Sequence, residues 1–197
     1  MGWSFRDAQE GGWRIGRAVL HLAEYSPFHG GAFVAHLEAL GEDLRGRRWE
    51  TWLGLPVSQQ PRDWHTHLVR AGWNLRLLRR PWGLHGTFGW DLGALICQVQ
   101  PGLIHIHFHA ASGMLARSLA PRVALVLHWH NPPKAGPSAL LGLHLLTSPH
   151  HIAVSDGLAT ELRRQLPKCK RSTLGALRRQ SGLCYRRSIA DLSGFSA

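Results

Sequence analysis

The sequence predicts an α/β fold built on a doubly wound parallel sheet, and three observations predict it. Apolar runs of strand length alternate with segments of helical period from residue 17 to residue 166. The runs are close to continuously apolar, as in VALVL at 123–127, which suits strands covered on both faces. Successive runs end in polar residues, as in LIHIHFH and LVLHWH, which gathers polar chemistry at one edge of the sheet.

In chain order, residues 1–16 are Gly/Trp-rich and aperiodic and read as a loose lead-in to a domain spanning 17–167. Ala18–Ala23 is the first strand, followed by a loop with Pro27 and the pair Gly30-Gly31. Phe33, Leu37, Leu40 and Leu44 then recur at helical spacing. Trp49–Leu53 reads as a second strand ending before Pro56. Residues 56–71 read as loop with a helix around Trp64–Val69, and Trp73–Leu78 as a third strand. Gly89–Val99 is helical, with Leu92, Leu95, Ile96 and Val99 on one stripe. Leu103–His107 is strand four, 112–120 a helix, and Val123–Trp129 strand five. Ala139–Leu146 is a further helix and Ile152–Val154 a short sixth strand. Ser155 is placed to cap a helix whose Leu158, Leu162 and Leu166 share a face. The expected strand order is 3-2-1-4-5-6, with a ligand crevice where the loops after strands 1 and 4 part.

After Pro167 the rhythm is lost, and residues 168–197 read as an irregular basic tail, disordered or out of frame. This stretch holds seven Lys/Arg against one acid, Asp191, so it carries six of the eleven excess positive charges of the chain. Charge of that kind binds polyanions without sequence preference, which leaves a non-catalytic basic binding module as an alternative function. The nine tryptophans do not strengthen a nucleic-acid reading: all lie outside the tail. A hydrophobic fraction of 44% excludes a disordered chain. The apolar runs are too short for a membrane span, and the first residues lack the apolar core of a secretion signal. Three cysteines without C-x-x-C spacing suit a reducing compartment.

The candidate site residues cluster at the strand ends. The loop after strand one supplies Glu24, Tyr25, Gly30 and Gly31, where paired glycines before a helix let backbone N–H groups approach a phosphate. It is not a G-x-G-x-x-G, which argues against a nicotinamide or flavin. His105, His107 and His109 lie at i, i+2 and i+4, and share one face if the strand continues straight; His128 and His130 repeat the pattern on the next strand. Histidine at a strand end can take a proton or bind a sugar hydroxyl. Trp129, between the last two, is expected to point to the opposite face. A metal hydrolase is the third reading, but no Asp or Glu lies between Asp91 and Asp156, and H-E-x-x-H is absent. No metal is therefore expected. No G-x-S-x-G elbow supports a serine nucleophile.

Three segments together carry a family resemblance. RAVLHLAEYSPFHGGAFVAHLEALGEDLRGRRWE at 17–50 resembles the opening strand, Gly-Gly loop and first helix of retaining glycosyltransferases of family 4, the GT-B class. PGLIHIHFHAASGMLARSLAPRVALVLHWHNPP at 101–133 is similar to that family's fourth and fifth strands, and HHIAVSDGLATELRR at 150–164 to the "IAVS" strand and helix that close its N-terminal domain. The resemblance implies one Rossmann-like half of a two-domain enzyme that transfers a sugar from a nucleotide-sugar donor to a hydroxyl acceptor on a glycan, lipid or small molecule. It implies no cofactor beyond the nucleotide sugar as co-substrate. By position, Gly30 and Gly31, with Glu24 and Tyr25 beside them, match the loop near the donor diphosphate. His107 and His109 match the polar end of strand four and His130 the strand-five histidine. Ser155 and Asp156 match an "S-E" pair read mainly as a helix cap. The sequence departs from the family after Pro167: the "PNG" loop and the paired-glutamate donor motif are missing. The expectation is an acceptor-side half, inactive alone, completed by a separate donor-binding domain. With the cysteine usage, the expected location is cytoplasmic, with peripheral association at the inner membrane surface left open.

Overall fold

The computed structural model describes residues 16–23, 31–57, 62–79, 87–108, 111–132, 150–166 and 174–176. Seven strands form one all-parallel sheet: β1 (Ala18–Ala23), β2 (Glu50–Pro56), β3 (Asn74–Leu78), β4 (Leu103–His107), β5 (Ala124–Trp129), β6 (His150–Ala153) and β7 (Leu174–Ala176). Their order is β3-β2-β1-β4-β5-β6-β7, with the predicted reversal between β1 and β4. Five helices are described: α1 (Gly31–Gly46), α2 (Asp63–Arg70), α3 (Thr87–Val99), α4 (Ala111–Leu119) and α5 (Asp156–Gln165).

The helices divide between the two faces. On one, α3 and α4 lay Leu92, Leu95, Ile96 and Ala116 over Leu20, Leu22, Ile104, Ile106, Leu125 and Leu127. The fully buried residues of this face are all aliphatic, with Trp52, Phe88 and Trp129 packed against them, and such close packing is stabilising. Gly54 of β2 lies on it because there is room for nothing larger: a Cβ would sit 2.8 Å from Leu22 and 3.0 Å from Leu78. On the opposite face, Phe33, Val34 and Leu37 of α1 pack with Leu53 and Leu55 of β2 and Trp64 and Leu68 of α2. Leu40 and Leu44 of α1 continue this layer over Val19, Leu103, Val126 and Ile152. The spacing 33, 37, 40, 44 is thus the buried stripe of α1, as its period predicts.

Several local devices fix the ends of these elements. α1 stops where Arg48 takes a left-handed conformation (φ 63°), with the Trp49 amide bonded to the Leu44 carbonyl at 2.9 Å. Gly41 of α1 is covered by the Trp73 indole, so Trp73 precedes β3 as a packing residue instead of starting it. The helix expected near Trp64 is real and buries Trp64 and Leu68. β2 runs on through Pro56, beyond the end predicted for it. Its pairing with β1 ends at Gly54, and Pro56 is paired only with Leu78 of β3. A missing N–H is tolerated where a ladder has already ended.

β7 corrects the reading that no strand follows Pro167: Leu174–Ala176 pairs in parallel with β6 inside the basic stretch. A three-residue edge strand has no apolar run to announce it. The helix expected at 139–146, and the lead-in apart from Gly16, lie outside the described residues. Among the described residues no helix is long and apolar enough to cross a membrane.

Candidate functional site: a histidine layer at the sheet's C-terminal edge

β1, β4 and β5 are the central strands, and their period-2 alternation puts different chemistry on each face. The residues facing α1 are Val19, His21 and Ala23 on β1, Leu103, His105 and His107 on β4, and Val126 and His128 on β5. Parallel pairing aligns His21 with His105, and Ala23 with His107, which in turn aligns with His128. The apolar rungs lie towards the N-terminal ends of the strands and the imidazoles towards the C-terminal edge. His130 follows the last of them, and His36 of α1 covers the layer from above, its ring centroid 5.5 Å from that of His128.

Four of these rings are sealed from solvent: His21 and His107 have no exposed surface, and His105 and His128 retain 3% each. His130 is half-buried at the rim. Two short contacts join three rings in a line. His21 Nδ1 lies 3.3 Å from His107 Nε2, and His107 Nδ1 lies 3.2 Å from His130 Nε2. His107 can therefore donate through one nitrogen and accept through the other, linking the buried His21 to His130 at the rim. By contrast, His21 Nε2, His105 Nε2 and both nitrogens of His128 meet no hydrogen-bonding partner among the described residues.

Burial, and then repulsion from neighbouring imidazoles, holds His105, His107 and His128 well below the ordinary histidine range. The same causes, with His36 as the repelling neighbour, bring His21 down to about 3 and His130 to about 4. His36 is also lowered by its burial. At neutral pH the layer is a set of uncharged rings.

Phe108 ends β4 in an unusual way. Its φ of 68° lies in the left-handed region, which a bulky side chain rarely occupies. The turn folds its ring onto His130, with centroids 4.0 Å apart and planes at 25°. Phe33 of α1 meets Phe108, His107 and His130 edge-on at 5.1, 5.4 and 6.0 Å. Two phenyl rings thus hold His130 at the rim. On the other face a small cleft opens over the ends of β1, β2 and β4, lined by Leu22, Gly54, Leu78, Phe88, Ile106 and Ser112, with His107 at its border.

His107 and His130 are brought together as their sequence positions suggest. Gly31 is the first residue of α1, at φ 58°, and a Cβ there would meet nothing within 4 Å among the described atoms. Glu24, Tyr25, Gly30 and His109 lie outside the described residues. Ser155 caps α5, its Oγ accepting from the Leu158 amide at 3.2 Å, and Asp156 opens the helix. Trp129 points to the face opposite His128, as expected, and its Nε1 donates to His151 Nδ1 at 3.0 Å. Sequence reasoning did not place His21 or His36 in the site. A lone histidine inside AVLHLA, on the strand beside the switch point, was the available signal for the first.

No protein-family model matches the chain, and no curated protein matches it. Among solved structures, its fold is similar to that of a glycosyltransferase from Rickettsia africae ESF-5 (TM-score 0.63, 12% identity), over 83% of this chain and 43% of that one. The chain therefore spans less than half the length of that protein. It also aligns with apo UGT2 of Phytolacca americana (TM-score 0.44, 20% identity), over 65% of this chain and 32% of that one. The class these findings define is a glycosyltransferase-like, Rossmann-like parallel α/β fold. At such identities the likeness is one of fold, and substrates are a separate question.

Proposed function

We propose that the chain is the acceptor-side half of a GT-B glycosyltransferase, of the family 4 type, which transfers a sugar from a nucleotide-sugar donor to a hydroxyl acceptor once a donor-binding half completes it. The observation that carries this reading is the parallel sheet whose strand order reverses between β1 and β4, with half-buried His130 just past the end of β5, in a fold similar to less than half of a glycosyltransferase. At that edge His130 is the group that can reach an acceptor hydroxyl. His107 has no exposed surface and acts as a positioning residue through its 3.2 Å contact with His130. His109 follows on the same strand end and belongs to the same acceptor side. Gly30 and Gly31, with Glu24 and Tyr25, form the loop that approaches the donor diphosphate; the φ of 58° at Gly31 is a conformation that glycine alone takes freely. Ser155 serves as a helix cap, with Asp156 beside it. Alone, the half lacks the donor's positioning contacts and transfers little or nothing. It works in the cytoplasm, with any membrane association peripheral.

The test is binding, since turnover is not expected of a half. Ligand-observed NMR against a panel of glycosides, polyprenols and nucleotide sugars is expected to find acceptor-class ligands whose binding weakens about tenfold in His130→Ala, the loss of roughly one hydrogen bond to a buried ring. Removing residues 177–197, which follow β7, leaves that binding in place. The reading is overturned if the chain binds only polyanions, in a salt-sensitive way that the deletion abolishes. That outcome is the basic binding module.

A further inference from the structure

The histidine layer has more ligating power than acceptor recognition requires. We infer that His107, His128 and His130 form a binding site for one divalent first-row transition-metal ion of the zinc class.

The geometry comes from the pairing register. β4 and β5 set His107 opposite His128, and His130 lies two residues further on, on the same face. One nitrogen from each ring can be chosen so that all three lie within 4.8 Å of one another. A tetrahedral zinc ion with Zn–N bonds of about 2.0–2.1 Å separates its ligand nitrogens by about 3.3–3.4 Å. His107 Nδ1 and His130 Nε2 are already 3.2 Å apart. His128 needs only a ring adjustment, and it is the member with most to gain. It is 97% buried by its 3% exposure, and neither nitrogen has a partner among the described residues. Leaving such groups unsatisfied is unfavourable, and an ion satisfies them.

The surroundings favour an ion as well. Phe33 and Phe108 hold His130 from two sides, and Phe108 does so from a strained backbone, a cost that local ordering of His130 explains. A ligand set of imidazoles without carboxylates selects zinc, copper, nickel or cobalt and disfavours magnesium and calcium. Three neutral ligands leave the ion's double charge uncompensated, so the fourth position, towards the half-buried rim, suits hydroxide or an oxygen of an anionic ligand.

A second trio, His21, His105 and His107, meets the same distance criterion. All three rings are sealed in the interior, and His107 would have to turn its other nitrogen, Nε2, to the ion. The rim trio has an entry path through His130, and for that reason one ion per chain is assigned to it. The earlier expectation of no metal rested on the missing carboxylates; the fold supplies enough imidazoles from neighbouring strands to do without them.

The experiment uses the full, untagged chain stripped with a chelator and titrated with Co²⁺. One equivalent is expected to bind with the intense visible bands of a four-coordinate ion, to be displaced by Zn²⁺ and to ignore Mg²⁺. Zn²⁺ should raise the wild-type melting temperature. His130→Gln, at the rim and checked for folding by circular dichroism, is expected to weaken binding at least tenfold, while the exposed His67→Gln on α2 binds as wild type. X-ray absorption of the zinc-loaded wild type supplies a readout free of any variant and should count three imidazoles. Substoichiometric binding, fewer than three imidazoles, or unchanged affinity in folded His130→Gln would each overturn the site. None of these readouts depends on sugar binding, so the metal site and the acceptor reading stand or fall separately.

Discussion

The two faces of the central sheet are made by the same three strands and obey different rules. Under α3 and α4, β1, β4 and β5 present Leu20, Leu22, Ile104, Ile106, Leu125 and Leu127, a layer that gains from every methylene it removes from water. Under α1 the same strands present His21, His105, His107 and His128, rings buried as deeply but poorly partnered. One face stabilises the fold, and the other draws on that stability to keep reactive groups dry. Depth of burial is common to both, so burial alone does not distinguish core from site; the satisfaction of polar atoms does.

The comparison can be broken most forcefully with acid. Below about pH 6.5 an unfolded chain with ordinary histidines binds more protons than the folded one, whose rings titrate lower. Stability is therefore complete above that pH and declines as pH falls towards about 4 for His130 and about 3 for His21. Each ring contributes at most about 1.4 kcal/mol per pH unit, and several act together. The metal-free protein should unfold steeply between pH 6.5 and 4, as followed by circular dichroism. A transition delayed below pH 3 would show that the rings are not buried uncharged.

On the aliphatic face, Leu127→Ala is expected to cost about 2–5 kcal/mol in denaturant unfolding, with little change in slope. Gly54→Val should cost about 1–3 kcal/mol by overpacking against Leu22 and Leu78. On the histidine face the sign reverses. His105→Leu removes a nitrogen that has no partner and should leave the protein more stable by about 1 kcal/mol. A loss of stability there comparable to that of Leu127→Ala would erase the distinction between the faces.

Much of this was legible before any coordinates. The alternation in LIHIHFH and LVLHWH assigns His105, His107, His128 and His130 to one face and Ile104, Ile106 and Trp129 to the other, because strand geometry has a period of two. The stripe 33, 37, 40, 44 gave α1, and Ser155 gave the start of α5. What escaped depends on register and distance. Nothing local to AVLHLA says that His21 will lie diagonally across from His107, 86 residues away. His36 joins the layer only because α1 crosses β4 and β5. β7 escaped because an edge strand of three residues among basic neighbours has neither length nor pattern to reveal it. Phe108 escaped because left-handed backbone at a phenylalanine has no sequence signature.

The alternation has a consequence for how the chain finds its structure. In a sheet apolar on both faces, a strand that slips by one residue exchanges one oily surface for another and pays little for the mistake. Here a one-residue slip of β4 would drive His105 and His107 between the leucines of α3 and turn Ile104 and Ile106 onto the imidazoles of β1 and β5. Such a slip would also break the contacts of His107 with His21 and His130. The histidine layer therefore makes the register of β4 distinguishable from its neighbours by one residue, which a sheet apolar on both faces does not.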